Sequence, residues 1–260
     1  MGERTLAAPA PTLDRDELLA TFRQLSAVRA VELKMNVPGE QRMALRELRL
    51  DPLQGRIREV LFFDTPNLSL FRSGVIVRAR RTQGSDDDAV VKLRPALPTE
   101  LPPAVRDSRN LKIEMDVTRD SYTVSASLKG KRRTGTVQEV TFGDRPIDRL
   151  LTKEQRTFLT EHLPKGVGWG DLVPLGPIFV VVLKFGPAGF SQKMTIEQWH
   201  YPGQVPLVEL STKAAPLDVL RVHGEATEFL GRHGLKATGE QEPKTRKALQ
   251  FFARHLPRTP

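Results

Sequence analysis

Charged and apolar residues alternate in several short segments of this sequence. The segments with this pattern are 31–34, 75–80, 90–94, 111–116 and 207–213. Because successive side chains of a β-strand point to opposite faces, Glu32 and Lys34 share one face, while Val31 and Leu33 share the other. The alternation therefore predicts strands with one apolar and one charged face. The charged face is either the solvated outside of a sheet or the inside of a closed barrel.

Turn and capping signals complete the predicted order of elements. Strands are predicted at about 28–37, 57–64, 74–82, 88–95, 111–118, 122–129, 178–185, 193–200 and 206–213. Helices are predicted from Asp14 to before residue 28, at about 40–49, after a capping box at Thr152 and Gln155, and at about 216–233 and 242–256. The segments 95–110, 165–177 and the basic 129–133 are predicted to be loops.

The predicted elements form one domain. Eight or nine mainly antiparallel strands are accompanied by peripheral helices, which indicates the α+β class. No segment has the composition of a linker between domains, so we predict a single domain over 12–257. Residues 1–11 are rich in Ala and Pro and are predicted to be a disordered tail.

Composition narrows the classes of protein to consider. No apolar stretch reaches 18 residues, and no secretion signal opens the chain, so we expect a cytoplasmic protein that is not in a membrane. The absence of cysteine excludes disulfides, thiolate metal sites and a cysteine nucleophile. A net charge of +9 fits either a polyanion partner or a basic surface. Since only 6% of residues are aromatic, a nucleic acid partner is disfavoured.

Several catalytic motifs are missing. The chain has neither the Gly-x-x-x-x-Gly-Lys-Ser/Thr loop of phosphate-binding ATPases nor the Gly-x-Gly-x-x-Gly turn of dinucleotide-binding folds. The five histidines are scattered without metal-ligand spacing, and there is no Gly-x-Ser-x-Gly elbow. The remaining candidate chemistry is the charged face of the strands.

A barrel with this face inward would enclose many charges. The enclosed cations would be Lys34, Arg78, Arg80, Lys92, Arg94, Lys129, Lys184 and Lys213. The enclosed carboxylates would be Glu32, Glu114, Asp116, Glu197 and Glu209. Such charges must pair with one another or with a charged ligand, and Arg and Lys suit a triphosphate or polyphosphate chain. Carboxylates beside that ligand would need a hard cation, such as Mg²⁺ or Mn²⁺, between them and the phosphate groups.

These residues resemble a known family, the CYTH domains or triphosphate tunnel metalloenzymes. Glu32-Leu33-Lys34 is similar to the second half of the Glu-x-Glu-x-Lys signature on the first strand of that family. The segment 62–80 resembles the Asp-Thr-Pro strand and the Arg-x-Arg strand of the family. Val91-Lys92-Leu93 is similar to the segment with the family's next lumen lysine, and 207–211 resembles the closing Glu-x-Glu strand. The resemblance spans about residues 28–255, and it is strongest at 60–93 and weakest at 95–177.

The resemblance implies an eight-stranded antiparallel tunnel that binds triphosphate groups with a divalent metal. Lys34, Arg78, Arg80 and Lys92 would hold phosphate, Glu32 and Glu209 would bind metal, and Glu32 and Lys34 would be catalytic. Two positions depart from the signature, because Ala30 and Ser211 stand where the family has carboxylates. Glu114, Asp116 or Glu197 could compensate as metal ligands.

Three functions follow as hypotheses. The first is a metal-dependent triphosphatase acting on small triphosphate compounds. The alternatives are a non-catalytic phosphate or polyphosphate-binding protein, which Ala30 and Ser211 favour, and a class IV-type adenylate cyclase. The sequence carries no indication of an oligomeric state.

Overall fold

A computed structural model of the protein describes residues 28, 30–37, 41–96, 101–117, 122–235 and 244–256. Its strands are β1 (Ala30–Val37), β2 (Arg56–Asp64), β3 (Val75–Thr82), β4 (Asp87–Leu93), β5 (Leu111–Val117), β6 (Tyr122–Arg132), β7 (Val173–Phe185), β8 (Met194–His200) and β9 (Leu207–Ala214). Its helices are α1 (Gln41–Glu47), α2 (Ser69–Arg72), α3 (Pro103–Arg106), α4 (Thr136–Thr141), α5 (Lys153–Glu161), α6 (Val219–Arg232) and α7 (Lys244–Arg254).

The strands close into a barrel in the order β1-β5-β6-β4-β3-β2-β7-β8-β9, with β9 returning to β1. The pair β1–β5 is parallel and the other pairs are antiparallel. The predicted α+β barrel is confirmed, but the expectation of eight antiparallel strands was wrong. β5, predicted simply as one more antiparallel strand, sits between β1 and β6 and makes the sheet nine-stranded and mixed.

The outward-facing rows of the barrel are apolar and are covered by helices. α1 and α6 pack on the outward side chains of β1, β8 and β9, including Met35, Ile196 and Leu210. α4 and α5 pack on β3, β4 and β6, where Phe158 and Leu159 of α5 are fully buried. Because the outer rows already form the hydrophobic core, the charged rows of the same strands face the lumen.

The lumen is apolar at one end. Inward side chains of β2, β7 and β8, among them Phe62, Ile178 and Trp199, form a cluster with Ala248 and Leu249 of α7. The C-terminal helix therefore closes this end of the barrel, and the charged side chains occupy the rest of the interior. No helix among the described segments is long and apolar enough to cross a membrane.

Local signals explain most element ends. The predicted capping box of α5 is confirmed, since Thr152 accepts from the Gln155 backbone and the Gln155 side chain accepts from the Thr152 backbone. The buried carboxylate of Asp64 accepts the backbone N–H groups of Thr65, Leu70 and Phe71, which fixes the turn into α2.

The three predicted loops were wrong in part, and the segment 95–110 contains the short helix α3 (Pro103–Arg106). β7 starts at Val173, inside the segment 165–177, and β6 runs on to Arg132, through most of the segment 129–133. In both cases the additional residues pair with a neighbouring strand, which local sequence does not reveal. The helix predicted from Asp14, the tail 1–11 and the start of the domain at 12 lie outside the described residues.

Candidate functional site

The strand registers decide which charged side chains meet in the lumen. Glu32 on β1 is paired with Asp116 on one side and Lys213 on the other, and Lys34 is paired with Ser211. On the opposite wall Arg80 is paired with Asp88. Three groups result, which we call the Asp116 cluster, the Lys244 cluster and the arginine row.

The Asp116 cluster consists of one carboxylate and three cations. The Asp116 side chain is 1% exposed and lies 2.7 Å from Lys34 Nζ, 3.2 Å from Lys92 Nζ and 3.3 Å from Arg94 Nη1. Burial alone would raise the pKa of Asp116, but the three cations hold it well below the usual range of a carboxyl group. A single anion thus holds three basic side chains together, which leaves the cluster with a net positive charge.

Lys34 and Lys92 respond differently to this shared carboxylate. Burial favours the neutral form of both, yet Asp116, Glu32 and Glu209 together raise the pKa of Lys34 above its ordinary value. For Lys92, burial outweighs Asp116, and Lys34 and Arg94 add repulsion, so its pKa falls to about 8. Nearby carboxylates therefore stabilise the charge of Lys34, whereas the charge of Lys92 is not balanced by its surroundings.

The Lys244 cluster joins α7 to the lumen wall. Lys244 Nζ lies 2.5 Å from Glu197 Oε2 and 2.6 Å from Glu209 Oε1, and it sits 5.2 Å from the ring of Trp199. Burial would lower the pKa of Lys244, but Glu197 and Glu209 raise it. The ammonium group therefore stays charged and neutralises two neighbouring carboxylates.

The arginine row is formed by Arg58, Arg78 and Arg80. Arg80 Nη2 lies 2.7 Å from Asp88, and Arg58 Nη1 lies 3.3 Å from Glu197. Arg78, between them, forms no ion pair with any described residue, and its buried Nε has no hydrogen-bond partner. Burial and the adjacent Arg80 lower the pKa of Arg78 to about 10. The middle of the row is thus a guanidinium without a direct ion pair, which Glu197 and Asp88 stabilise only from a distance.

The remaining predicted cations lie nearer the ends of the barrel. Lys213 forms a half-exposed ion pair with Glu114 at 2.6 Å, and Lys129 lies 3.5 Å from Asp88. Lys184 is exposed and none of the described residues forms an ion pair with it. Of the predicted phosphate-binding residues, Lys34, Arg78, Arg80, Lys92 and Arg94 lie in the interior, while Lys129, Lys184 and Lys213 line its rim.

Comparison with known proteins identifies the fold. No family model and no curated protein matches the sequence. Solved structures do match: a protein from Hippeastrum, provisionally classed as an adenylyl cyclase and with a dominant triphosphatase activity, is 21% identical, with a TM-score of 0.58 over 83% of this chain and 93% of its own. A protein from Bacillus halodurans, provisionally classed as an adenylate cyclase, is 9% identical, with a TM-score of 0.59 over 85% and 96%.

The chain has the fold of a CYTH-type triphosphate tunnel protein. The resemblance stated from the sequence motifs is confirmed at the level of the fold. The interior of the barrel is therefore called the tunnel.

The five predicted metal ligands do not converge in the tunnel. Glu32 and Asp116 both border Lys34, Glu197 and Glu209 share Lys244, and Glu114 pairs with Lys213 near the rim. Among the residues described, no group of three acidic or histidine side chains could hold a metal ion. The tunnel therefore does not fit a cation held by protein ligands alone, and the ligand set remains a prediction.

A cation that arrives on a phosphate ligand is a different case. Mg²⁺ is commonly held by one or two carboxylates together with substrate phosphates. Glu32 lies 3.3 Å from Lys34, and Glu32 and Glu209 both raise the pKa of Lys34, so both carboxylates are near this lysine. Glu32 and Glu209 therefore fit a cation that phosphate oxygens hold in part.

Three residues of the tunnel were missing from the sequence-based site. Arg58 stands in the segment Ile57-Arg58-Glu59-Val60, where charged and apolar residues do not alternate, so the pattern did not mark it. Asp88 stood at the predicted start of its strand and is the second residue of β4, but it was not counted among the charged side chains of the inward face. Lys244 stands on a helix, where the period-2 pattern that located the other charges does not apply.

Proposed function

We propose that the tunnel binds small triphosphate compounds and hydrolyses them with a divalent metal. The observation that carries the proposal is Arg78, a guanidinium inside the tunnel with a buried Nε that lacks a partner. Leaving such a group uncompensated is costly unless a ligand completes it, and a guanidinium forms paired hydrogen bonds with phosphate oxygens. A bound phosphate chain would supply the missing acceptors.

The neighbouring cations support the same ligand. Lys92 has a lowered pKa because its charge is in surplus, and a phosphate group beside it would remove this penalty. Arg80 and Arg94 stand next to Arg78 and Lys92 on the same inward rows. A triphosphate lying along these side chains would find basic groups at each phosphoryl unit.

In the proposed hydrolysis, water attacks the terminal phosphorus and the bond from that phosphorus to its bridging oxygen breaks. The products are inorganic phosphate and a diphosphate compound, and the proton released from water goes to solvent. Lys34, Arg78 and Arg80 stabilise negative charge that grows on the phosphate oxygens. When bound, a divalent cation would add charge neutralisation at the phosphate oxygens, and Glu32 and Glu209 would hold it.

A second candidate, binding without turnover, is favoured by the Lys244 cluster. Ala30 and Ser211 remove two signature carboxylates, and Lys244 already neutralises Glu209. In this alternative the tunnel binds a phosphate or polyphosphate chain and releases it unchanged.

The deciding experiment incubates the purified full chain with tripolyphosphate, ATP and thiamine triphosphate, with and without Mg²⁺ or Mn²⁺. Metal-dependent release of phosphate supports the hydrolase, and cyclic AMP from ATP would indicate a cyclase instead. Binding of tripolyphosphate by calorimetry without any product supports the second candidate.

Two variants make the result specific to the tunnel. Arg78→Gln is expected to lower phosphate release by about 100-fold, or to weaken binding by about tenfold if there is no turnover. Arg46→Gln removes an equal charge from an exposed position on α1 and should change neither quantity. Absence of tripolyphosphate binding to the wild-type tunnel would refute the proposed site.

A further inference from the structure

A basic groove lies on the outside of the barrel, away from the tunnel. It has a volume of about 570 Å³ and is formed where the end of β6 meets α4, the turn 145–151 and the first turn of α5. Because Arg132 is in register with Asp87, one position off the inward Asp88–Lys131 pair, it points outward. Six of the nine lining residues are cationic, namely Arg132, Arg133, Arg145, Arg149, Lys153 and Arg156.

Two of these arginines are fixed in place without a carboxylate. Arg132 Nε donates to the carbonyl of Leu150 at 2.6 Å, and Arg156 Nη1 donates to the carbonyl of Leu151 at 3.0 Å. Neither guanidinium forms an ion pair with a described residue. Burial, together with the positive charge of Arg156, lowers the pKa of Arg132. The backbone therefore holds two like charges side by side.

The remaining charges of the groove do not balance. Glu139 forms ion pairs with Arg133 and Arg145, and Asp148 lies 3.8 Å from Arg149. Six cations thus meet two carboxylates among the described residues, which leaves a surplus of four positive charges. Lys153 and Arg149 are exposed, so a ligand can reach the surplus from solvent.

We propose that this outer groove is a second anion site that binds an oligophosphate of the tripolyphosphate class. Arginine side chains present planar forks that match phosphate oxygens, and the carbonyl anchors of Arg132 and Arg156 orient these forks in advance. A surplus of four charges suits an anion with several phosphate groups better than a single phosphate. The proposal does not depend on the activity of the tunnel.

Calorimetric titration of the full chain with tripolyphosphate tests the groove. The wild-type chain is expected to bind two equivalents, one in the tunnel and one in the groove. Arg145→Gln combined with Arg149→Gln and Lys153→Gln changes exposed side chains and should abolish one equivalent or weaken it by more than about tenfold. Arg156→Gln tests an anchored arginine of the same site. ATP in place of tripolyphosphate distinguishes a free oligophosphate from a nucleotide's phosphate chain.

Controls separate the groove from net charge and from the tunnel. Arg46→Gln with Lys165→Gln and Arg254→Gln removes three exposed charges elsewhere and should leave both equivalents intact. Arg78→Gln should weaken the tunnel equivalent alone. If the tunnel proposal is wrong, the wild-type chain binds one equivalent, which the groove triple variant removes and Arg78→Gln does not.

Three results would overturn the proposal that the groove binds an oligophosphate. One is a single equivalent that Arg78→Gln abolishes, and another is an equal loss in the control triple variant. The third is binding of a single-stranded RNA to the groove with no binding of tripolyphosphate.

Discussion

The Nζ of Lys34 lies 2.7 Å from Oδ1 of Asp116, across the parallel pair β1–β5. The same carboxylate contacts Lys92 on β4 and Arg94 just after β4, so one buried anion contacts three cations. The stability of the tunnel and the proposed binding of phosphate are therefore linked through a single side chain.

Asp116→Asn should lower the free energy of unfolding by about 3–5 kcal/mol, because three enclosed cations would lose their counter-charge. Chemical denaturation measures this loss. Tripolyphosphate should restore part of the stability, since it supplies negative charge at the same place. The exposed Asp86→Asn is the control and should change stability by less than about 0.5 kcal/mol. A similar small change in Asp116→Asn would contradict the assigned role.

Phosphate binding should weaken as the pH rises above about 8, where buried Lys92 loses its proton. The same shift affects folding: the folded pKa of Lys92 is about 8 and the ordinary value is 10.5, so between them the unfolded chain binds more protons. In this range the contribution of Lys92 to the free energy of unfolding rises with pH, while ligand affinity falls.

Lys92→Arg provides the comparison, because arginine keeps its charge across this range. The dissociation constant for tripolyphosphate, measured from pH 7 to 10, should change more steeply in the wild-type chain than in Lys92→Arg. Equal slopes in the two proteins would show that the ligand's own ionisation accounts for the pH dependence.

Lys244→Gln should free Glu197 and Glu209 from their shared ammonium group. Glu209 would lose its ion pair, and Glu197 would keep Arg58 as its partner at 3.3 Å, so we expect a loss of about 3 kcal/mol in the free energy of unfolding. Mg²⁺ should then raise the melting temperature of the variant more than that of the wild-type chain. Lys247→Gln, one turn along α7, is the matched control, since Lys247 lies 5.0 Å from the ring of Tyr201 and has no carboxylate partner among the described residues. An equal response of both variants to Mg²⁺ would be evidence against the idea.

Ala30→Glu with Ser211→Glu should strengthen the metal dependence of phosphate release. Ala30 lies on the inward row of β1, and Ser211 is paired with Lys34, so both new carboxylates would enter the tunnel beside Glu32 and Glu209. We expect the Mg²⁺ concentration for half-maximal release to fall by about tenfold, because oxygen ligands are added. Ala30→Gln with Ser211→Gln has the same size without the charge. An identical gain in that control would exclude a metal effect.

Gly130→Ala should destabilise the barrel by about 1–3 kcal/mol. A Cβ at Gly130 would lie 2.6 Å from Gln155 Oε1 and 2.8 Å from Thr152 Cγ2. Gln155 cannot move away freely, because its amide donates to the carbonyls of Ala89 and Leu128, both at 2.9 Å. Thermal denaturation compares this variant with Gly170→Ala, where a Cβ meets nothing within 4 Å. Equal melting temperatures would disprove the close contact.

The strand pattern predicted the wall of the tunnel well because side-chain alternation is a local property. Glu32, Lys34, Arg78 and Arg80 were assigned to one face by period alone, and the structure places them inside the barrel. The choice between an outer face and a lumen needed the order of motifs. That choice depends on what covers the other face, and strand alternation carries no information about it.

The rest of the site depends on contacts that are distant along the chain. The parallel pairing of β5 with β1 follows from how the sheet closes, and no turn signal marks it. Lys244 reaches the tunnel because α7 packs its apolar side on the inward residues of β7 and β8. The helix was predicted, but its position was not, since an amphipathic pattern specifies a buried face without specifying its partner.

The position of β1 between β5 and β9 has a consequence for how the protein is made. Neither neighbour is close to β1 in sequence: the pair with β5 needs the chain up to residue 117, and the pair with β9 needs the chain up to residue 214. Lys34 and Asp116 can meet as soon as β1 and β5 pair, whereas Glu209 on β9 joins them only when the ring of strands is complete. A phosphate compound held by Lys34 and Lys92 would favour the complete ring by mass action, and its supply would then influence how much of the newly made chain reaches its finished form.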